Sequence, residues 1–213
     1  MIKFVVVLLY LFSIFFVSII FKKFNENSKE IIRKIIHIGM GPLIPIAQFL
    51  QIDQNSALIF TGIVSLMVVI NYSYKLFPTI EDVKRKSYGT ILYCLSLFIL
   101  IWLFWDKDPY ALFAGFLIMT FGDGLAGLIG KSFNSKNWII FKQKKSLLGT
   151  LTMFLASLIV VCSLGYAQQK NVNVNYFAIA FLATVLEQFS ILGVDNFIVP
   201  ISSALFFNFF ITN

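Results

Sequence analysis

Eight apolar runs, separated by polar breaks, take up most of this 213-residue chain: residues 2–21, 35–50, 56–72, 88–105, 109–130, 147–166, 176–192 and 197–211. A run of about 20 apolar residues is the length at which a helix crosses the hydrocarbon core of a bilayer, and a helix satisfies its own backbone polar groups where no water can. The runs therefore predict an all-α, polytopic integral membrane bundle of seven or eight transmembrane helices with short loops. They form a single transmembrane domain, 1–213, that leaves no room for a soluble one. Composition agrees, since 59% hydrophobic and 13% charged residues are too apolar a mixture for an ordinary soluble domain. The count stays at seven or eight because 35–50 is short and holds Pro42 and Pro45, and 197–211 is barely long enough. Either could be re-entrant or strongly tilted. The first run is too long for a secretory leader, and no small-residue cleavage site precedes Lys22 and Lys23, so it is read as the first helix.

The net charge of +7 is distributed unevenly. With eight helices, one set of alternate loops holds Lys22, Lys23, Lys29, Arg33 and Lys34, then Lys75, Lys84, Arg85 and Lys86, then Lys131, Lys136, Lys142, Lys144 and Lys145. That is 14 of the 17 basic residues, against Lys3, Lys107 and Lys170 in the other set. The positive-inside rule makes the first set cytoplasmic and puts both termini outside. On such a chain the positive charge points to topology and a site for anionic groups, not to nucleic acid. Cys94 and Cys162 lie inside apolar runs with no partner spacing, which predicts packing roles and neither a disulfide framework nor a zinc site.

Ionisable residues within membrane helices are costly and point to function. Asp123 lies in Phe121-Gly122-Asp123-Gly124-Leu125-Ala126-Gly127-Leu128-Ile129-Gly130-Lys131, near the cytoplasmic end of the fifth run. The glycines let a backbone or a ligand approach closely; helix packing alone accounts for them but not for the aspartate. Glu187 lies late in the seventh run, and Asp195-Asn196 follows Gly193, which breaks the helix and brings a second acidic group to the same edge. Two or three carboxylates beside basic residues suit a magnesium ion shared with substrate phosphates, or, more simply, pairing with loop lysines. Arg33, Lys34 and His37 stand at i, i+1 and i+4, so Arg33 could grip phosphate while His37 donates a hydrogen bond or relays a proton. Lys86-Ser87-Tyr88-Gly89-Thr90 and Lys145-Ser146-Leu147-Leu148-Gly149-Thr150 each set a lysine and a serine where a helix begins. A serine cap, free N–H groups and the positive end of the helix dipole attract anions there. A basic, helix-capped, acidic site at one membrane face suits a nucleoside triphosphate from the cytoplasm and a lipid entering from the side.

The glycine-rich run around Asp123, then Lys144-Lys145-Ser146-Leu147-Leu148-Gly149-Thr150, then Glu187 with Asp195-Asn196 and Pro200, resembles the phytol kinase and dolichol kinase family of polytopic, CTP-dependent lipid kinases. Arg33-Lys34-Ile35-Ile36-His37 and Tyr88-Gly89-Thr90 fit the same pattern, which spans the second run to the last. Asn134 departs from it, standing where that pattern has glycine. The resemblance implies transfer of the γ-phosphoryl group of CTP, or a related nucleotide, to the hydroxyl of a membrane lipid alcohol such as phytol, a polyprenol or dolichol, or diacylglycerol. Asp123 with Glu187 or Asp195 would hold Mg2+. The triphosphate would lie against Lys145, Lys131 and Arg33, with Lys34, Gly122, Gly124, Lys144, Ser146, Gly149 and Thr150 nearby. Asp195 or His37 would take the hydroxyl proton, and Asn196, Gly89 and Thr90 complete the pattern. The middle block also resembles CDP-diacylglycerol synthases, whose C-terminal His-Gly-Gly and Asp-Arg elements are absent here, and Asp123-Gly124 resembles the start of the CDP-alcohol phosphotransferase motif without its further aspartates. Phosphatidate cytidylyl transfer is thus the enzymatic alternative and a small ion-coupled transporter the other. A transporter should place its binding groups near the midplane on inverted repeats.

Overall fold

The computed structural model describes residues 2–24, 29–74, 88–141, 143–189 and 191–212. Helices α1 (Ile2–Phe24), α2 (Lys29–Gly39), α3 (Leu43–Phe49), α4 (Gln54–Tyr74) and α5 (Gly89–Phe104) lead into α6 (Pro109–Leu117), which continues through a π-helical segment, Ile118–Asp123, into α7 (Gly124–Ser132). Strands β1 (Asn137–Ile140) and β2 (Gln143–Ser146) follow, then α8 (Leu147–Ala167), α9 (Val174–Gln188), a 3-10 turn at Ile191–Gly193, and α10 (Asp195–Phe207) with a π-helical end at Asn208–Thr212. Five helical segments are long and apolar enough to cross a membrane: Ile2–Phe21, Gln54–Tyr74, Pro109–Ser132, Leu147–Ala167 and Asp195–Thr212. Gly89–Phe104 and Val174–Gln188 are shorter apolar helices.

The second predicted crossing, 35–50, is two helices in series. Pro42 has no N–H to continue α2, and Pro45 sits in the first turn of α3, where a missing donor is tolerated. The break frees carbonyls inside the apolar layer, and Tyr10 Oη answers one of them by donating to Gly39 O at 2.7 Å. Counted as one broken span, α2–α3 joins these seven segments to make eight candidate spans among the described residues.

Contacts at the far end of the bundle agree with that even number. Lys3 donates to Gln51 O at 2.9 Å, Gln48 to Trp105 O at 2.9 Å, Asn208 to Asp108 Oδ2 at 2.8 Å, and Lys170 to Thr212 O at 3.1 Å. The start of α1 and the end of the last helix therefore share one end, and the basic residues of α2, α7 and β2 lie at the other.

The core is built on α6 and the π segment, where Ala111, Leu112, Ala114, Ile118, Met119 and Thr120 have no exposed surface. Gly115 lets the Pro200 carbonyl of α10 close against α6. By contrast α1 packs mainly on α2 and α3, and α4 mainly on α5, so Phe12, Phe16, Ile59, Leu66 and Met67 face outward as lipid-facing apolar surface. The free thiols of Cys94 and Cys162 are half-buried on α5 and α8.

One element departs from the all-helical reading: the antiparallel hairpin β1–β2, with Trp138 opposite Lys145 and Ile139 opposite Lys144. Asn137-Trp138-Ile139-Ile140 has the aromatic and β-branched residues of a strand, but four residues are too few to show an alternation in the sequence. The period of two turns Trp138 and Lys145 inward and leaves Ile139 and Lys144 exposed.

Candidate active site

Three short stretches of backbone place the charged groups. On α2, Lys34 and His37 are three residues apart and share a face. Lys34 Nζ meets Asp123 Oδ2 at 2.6 Å and the Asp123 carbonyl at 3.0 Å. His37 Nε2 lies 3.1 Å from Met119 O and 3.6 Å from Asp123 Oδ2. A carbonyl can only accept, so Nε2 donates to it, and in the neutral ring Nδ1 is then the accepting nitrogen. The glycines of α7 let this happen: a Cβ on Gly127 would sit 2.6 Å from Lys34 Cε, and one on Gly124 would overlap Ile38. Asp123 itself closes the π-helical segment, a geometry that recurs at functional positions.

On β2, Lys145 pairs with Glu187 Oε1 of α9 and donates to the Glu187 carbonyl at 2.8 Å. Gln188 Nε2 donates to the other Glu187 oxygen at 2.9 Å and to Thr150 Oγ1 at 3.2 Å, while Gln188 Oε1 accepts from Trp138 Nε1 at 3.2 Å. The hairpin is thereby tied to the carboxylate it serves. Ser146 caps α8, accepting from Gly149 N at 3.1 Å.

The third stretch is the start of α10. Leu192 (φ 52) and Gly193 (φ 87) turn the chain after α9, and only glycine adopts the second of these without a steric cost. Leu192 O accepts from Tyr88 N at 2.9 Å, and Asn196 Nδ2 donates to Gly89 O at 2.9 Å, fastening the start of α5 to the turn. Asp195 is buried in the first turn of α10, and its Oδ1 has no hydrogen-bond partner among the described residues. Its charged neighbours are Asp123, Lys145, Glu187 and Lys34, so all three carboxylates and both lysines belong to one electrostatic cluster.

The assembly shows what surrounds the residues assigned from sequence. Lys34 and Lys145, read as phosphate ligands, are each engaged by a carboxylate, which is the simpler pairing allowed for the acidic residues. Gly122 and Gly124, read as phosphate contacts, are packing positions. A Cβ on Gly122 would meet Met153 Sδ at 2.7 Å, and Gly124 is covered by α2. Arg33 and Thr90 are half-buried, and Lys131, Lys144 and Asn134 are exposed. Among the described residues, no three His, Cys, Asp or Glu side chains converge closely enough to hold a metal ion by themselves. The Lys86-Ser87 half of the first predicted anion cradle, and Lys142, lie outside the described residues. Trp138, Gln188 and Tyr93, whose ring centroid is 4.8 Å from that of His37, were not singled out from sequence. For Gln188 its place beside Glu187 was the available signal, and for Tyr93 its position one helical turn after Gly89.

The fold and the buried ionic cluster define an integral membrane protein with a charged site held at one end of a helical bundle. The chain is 36% identical, over 92% of its length and 86% of the other protein, to the phytol kinase of Synechocystis sp.. It is 25% identical to a probable chloroplastic phytol kinase of Triticum aestivum, over 81% of this chain and 65% of that one. To the probable chloroplastic phytol kinase 1 of Glycine max it is 26% identical, over 87% and 69%. The chain belongs to the phytol kinase family, and its enzyme class is that of a kinase. No family model and no solved structure matches it.

Proposed function

We propose that this chain transfers the γ-phosphoryl group of CTP, or a related nucleotide, to the hydroxyl of a membrane lipid alcohol, with phytol the first acceptor to test and polyprenols, dolichol and diacylglycerol after it. The observation that carries the reading is the cluster itself: Glu187, Asp195 and Lys34 are buried, Asp123 and Lys145 are partly buried beside them, and one Asp195 oxygen is left without a donor. Isolated buried charge is expensive, so such a cluster suits an ionic ligand that completes it. Kinship with proteins named phytol kinase supports the choice of reaction.

The donor set is all oxygen, and the unpartnered Asp195 Oδ1 fits a hard divalent cation. Asp123 with either Glu187 or Asp195 would hold Mg2+ together with phosphate oxygens, and the ion when bound supplies positive charge to the triphosphate. Lys34 and Lys145 then exchange part of their carboxylate pairing for phosphate oxygens, with Arg33, Lys131 and Lys144 closer to the aqueous side. Phosphoryl transfer relies mainly on positioning and charge stabilisation. The lipid hydroxyl oxygen bonds to the γ-phosphorus, the bond from that phosphorus to the bridging oxygen breaks, and the nucleoside diphosphate leaves. Asp195 accepts the hydroxyl proton, with His37 Nδ1 the second candidate. The excess of lysine and arginine at the site end supports a cytoplasmic active face with both termini outside.

Membranes holding the chain, given phytol and CTP labelled on either the α- or the γ-phosphate, test this directly. Label from γ in the lipid is the expected result. Label from α would make the chain a cytidylyltransferase, and absence of both would remove the kinase reading and revive the transporter.

A further inference from the structure

Between α7 and α8, at the charged end of the bundle, the hairpin β1–β2 holds large apolar side chains at its surface: Ile139 is 75% exposed and Phe141 58%. Phe141 follows β1 at φ 47, a conformation that glycine or asparagine takes at less cost, so the turn keeps an aromatic side chain against its backbone preference. Its ring lies against that of Phe189, also exposed, at the end of α9, with centroids 6.1 Å apart. Ile139 faces the same way as its cross-strand partner Lys144, while the strand period turns Trp138 and Lys145 to the other side. One face of the hairpin thus brings Lys145 to Glu187, and the other turns Ile139 and Lys144 outward.

That outer face continues a surface already turned to lipid. Leu147, Leu151, Leu155 and Ile159 are exposed at every fourth position of α8, a helix long and apolar enough to cross the membrane, and Leu147 directly follows the last residue of β2. Lys136, just before β1, and Lys144, opposite Ile139, are exposed on either side of the apolar pair. Apolar side chains bordered by lysines suit the interface of a bilayer. The apolar groups enter the acyl boundary, while the lysine stems lie along it and their ammonium groups stay on the aqueous side.

We propose that the hairpin is seated in the surface of the bilayer the helices cross, with Ile139 and Phe141 in the phospholipid headgroup–acyl boundary, and that this contact fixes the depth of Lys145. The anchor itself does not depend on the reaction. Its consequence rests on the reading of the chain as a lipid alcohol kinase: a lipid alcohol keeps its one polar group at that boundary, so the anchor holds the ionic cluster at the level of the hydroxyl.

A nitroxide on Ile139→Cys reads the depth, in a full-length chain carrying Cys94→Ala and Cys162→Ala and reconstituted in nanodiscs of phosphatidylcholine and phosphatidylglycerol. The label should be more accessible to oxygen, which partitions into lipid, than to a water-soluble nickel chelate, as should a label on Leu155→Cys midway along α8. A label at position 139 that favours the nickel chelate overturns the proposal and leaves this face to a soluble partner. Ile139→Asp in the otherwise native chain gives a second readout. The aspartate would face Lys144 across the ladder, an opposite-charge pair that favours the hairpin, so Tm in detergent should hold or rise. In nanodiscs, transfer to phytol should fall about tenfold, the weight of one apolar side chain lost from the boundary, whereas Ile139→Phe should keep the wild-type rate. Wild-type transfer by Ile139→Asp overturns the depth-setting role. If the wild type transfers no phosphate, the kinase reading fails on its own, and the depth of the label still decides the anchor.

Discussion

Lys34 Nζ sits 2.6 Å from Asp123 Oδ2 and 3.0 Å from the carbonyl oxygen of the same residue, so one ammonium group holds both the side chain and the backbone at the end of the π-helical segment. The two side chains are 9% and 15% exposed, which makes each the main partner of an otherwise buried charge. Lys34→Met should therefore cost about 3 kcal/mol, read as a fall in Tm, and abolish phosphoryl transfer. Asp123→Ala should abolish transfer while the protein remains inserted; an active variant would sink the assignment. Replacing both, with Lys34→Met and Asp123→Leu, should recover stability without activity.

Gly127 and Gly149 should respond differently to alanine. At Gly127 a Cβ meets the far end of the Lys34 side chain, which can move, so Gly127→Ala should displace the ammonium from Asp123 and lower activity with little change in Tm. At Gly149 a Cβ would meet Ser146 Oγ at 2.9 Å and Ala126 O at 3.0 Å, and a backbone carbonyl cannot swing aside. Gly149→Ala should push α7 and α8 apart and cost about 1–3 kcal/mol. Equal Tm values for the two variants would contradict this reading of Gly127 on α7 and Gly149 on α8.

Trp138 reaches the ionic cluster only through Gln188, so its loss should be felt indirectly. Trp138→Phe removes the N–H that Gln188 Oε1 accepts, and about 1 kcal/mol of hydrogen bonding with it. Activity should fall severalfold, whereas Glu187→Gln, which removes the charge opposite Lys145, should cost far more. Equal activity in the two variants would show that the hairpin does not orient the carboxylate.

Asp53 offers a pH-dependent signal away from the site, in the turn before α4. It accepts from Ser56 N at 2.9 Å, and hydrogen bonds from Ser56 hold its carboxyl below the ordinary carboxylate range. A carboxyl with a depressed folded-state pKa stabilises above its unfolded value and loses that contribution as pH falls through the folded one. Asp53→Ala should therefore lower Tm at neutral pH and flatten the decline in Tm on the acid side, with wild type and variant converging once the carboxyl is protonated.

Much of the architecture was legible in run lengths, because the bilayer sets one length for a crossing and five of the predicted runs fold as helices that reach it. The break in the second crossing was legible too, through Pro42 and Pro45, although its extent depended on Tyr10 reaching Gly39 O from another helix. The site was legible as a set of residues but not as a set of bonds. Arg33 and Lys34 are neighbours on α2, and which of them meets Asp123 depends on the rotation of that helix, set by how Ile38 and Lys34 lie over Gly124 and Gly127. A lysine that will face a phosphate and one that will face a carboxylate look the same in a sequence, so Lys34 and Lys145 were read as ligands when the fold gives each a protein partner first. The hairpin escaped because four residues carry too little periodicity, and with it went Trp138.

Asp195 sits in the first turn of the last helix, while Lys34, Asp123, Lys145 and Glu187 come from segments made before it. During synthesis the ribosome delivers those four groups to the membrane first and α10 only at the end. The two lysine–carboxylate pairs can close while the chain is still growing, and no half-made chain carries the complete set of carboxylates.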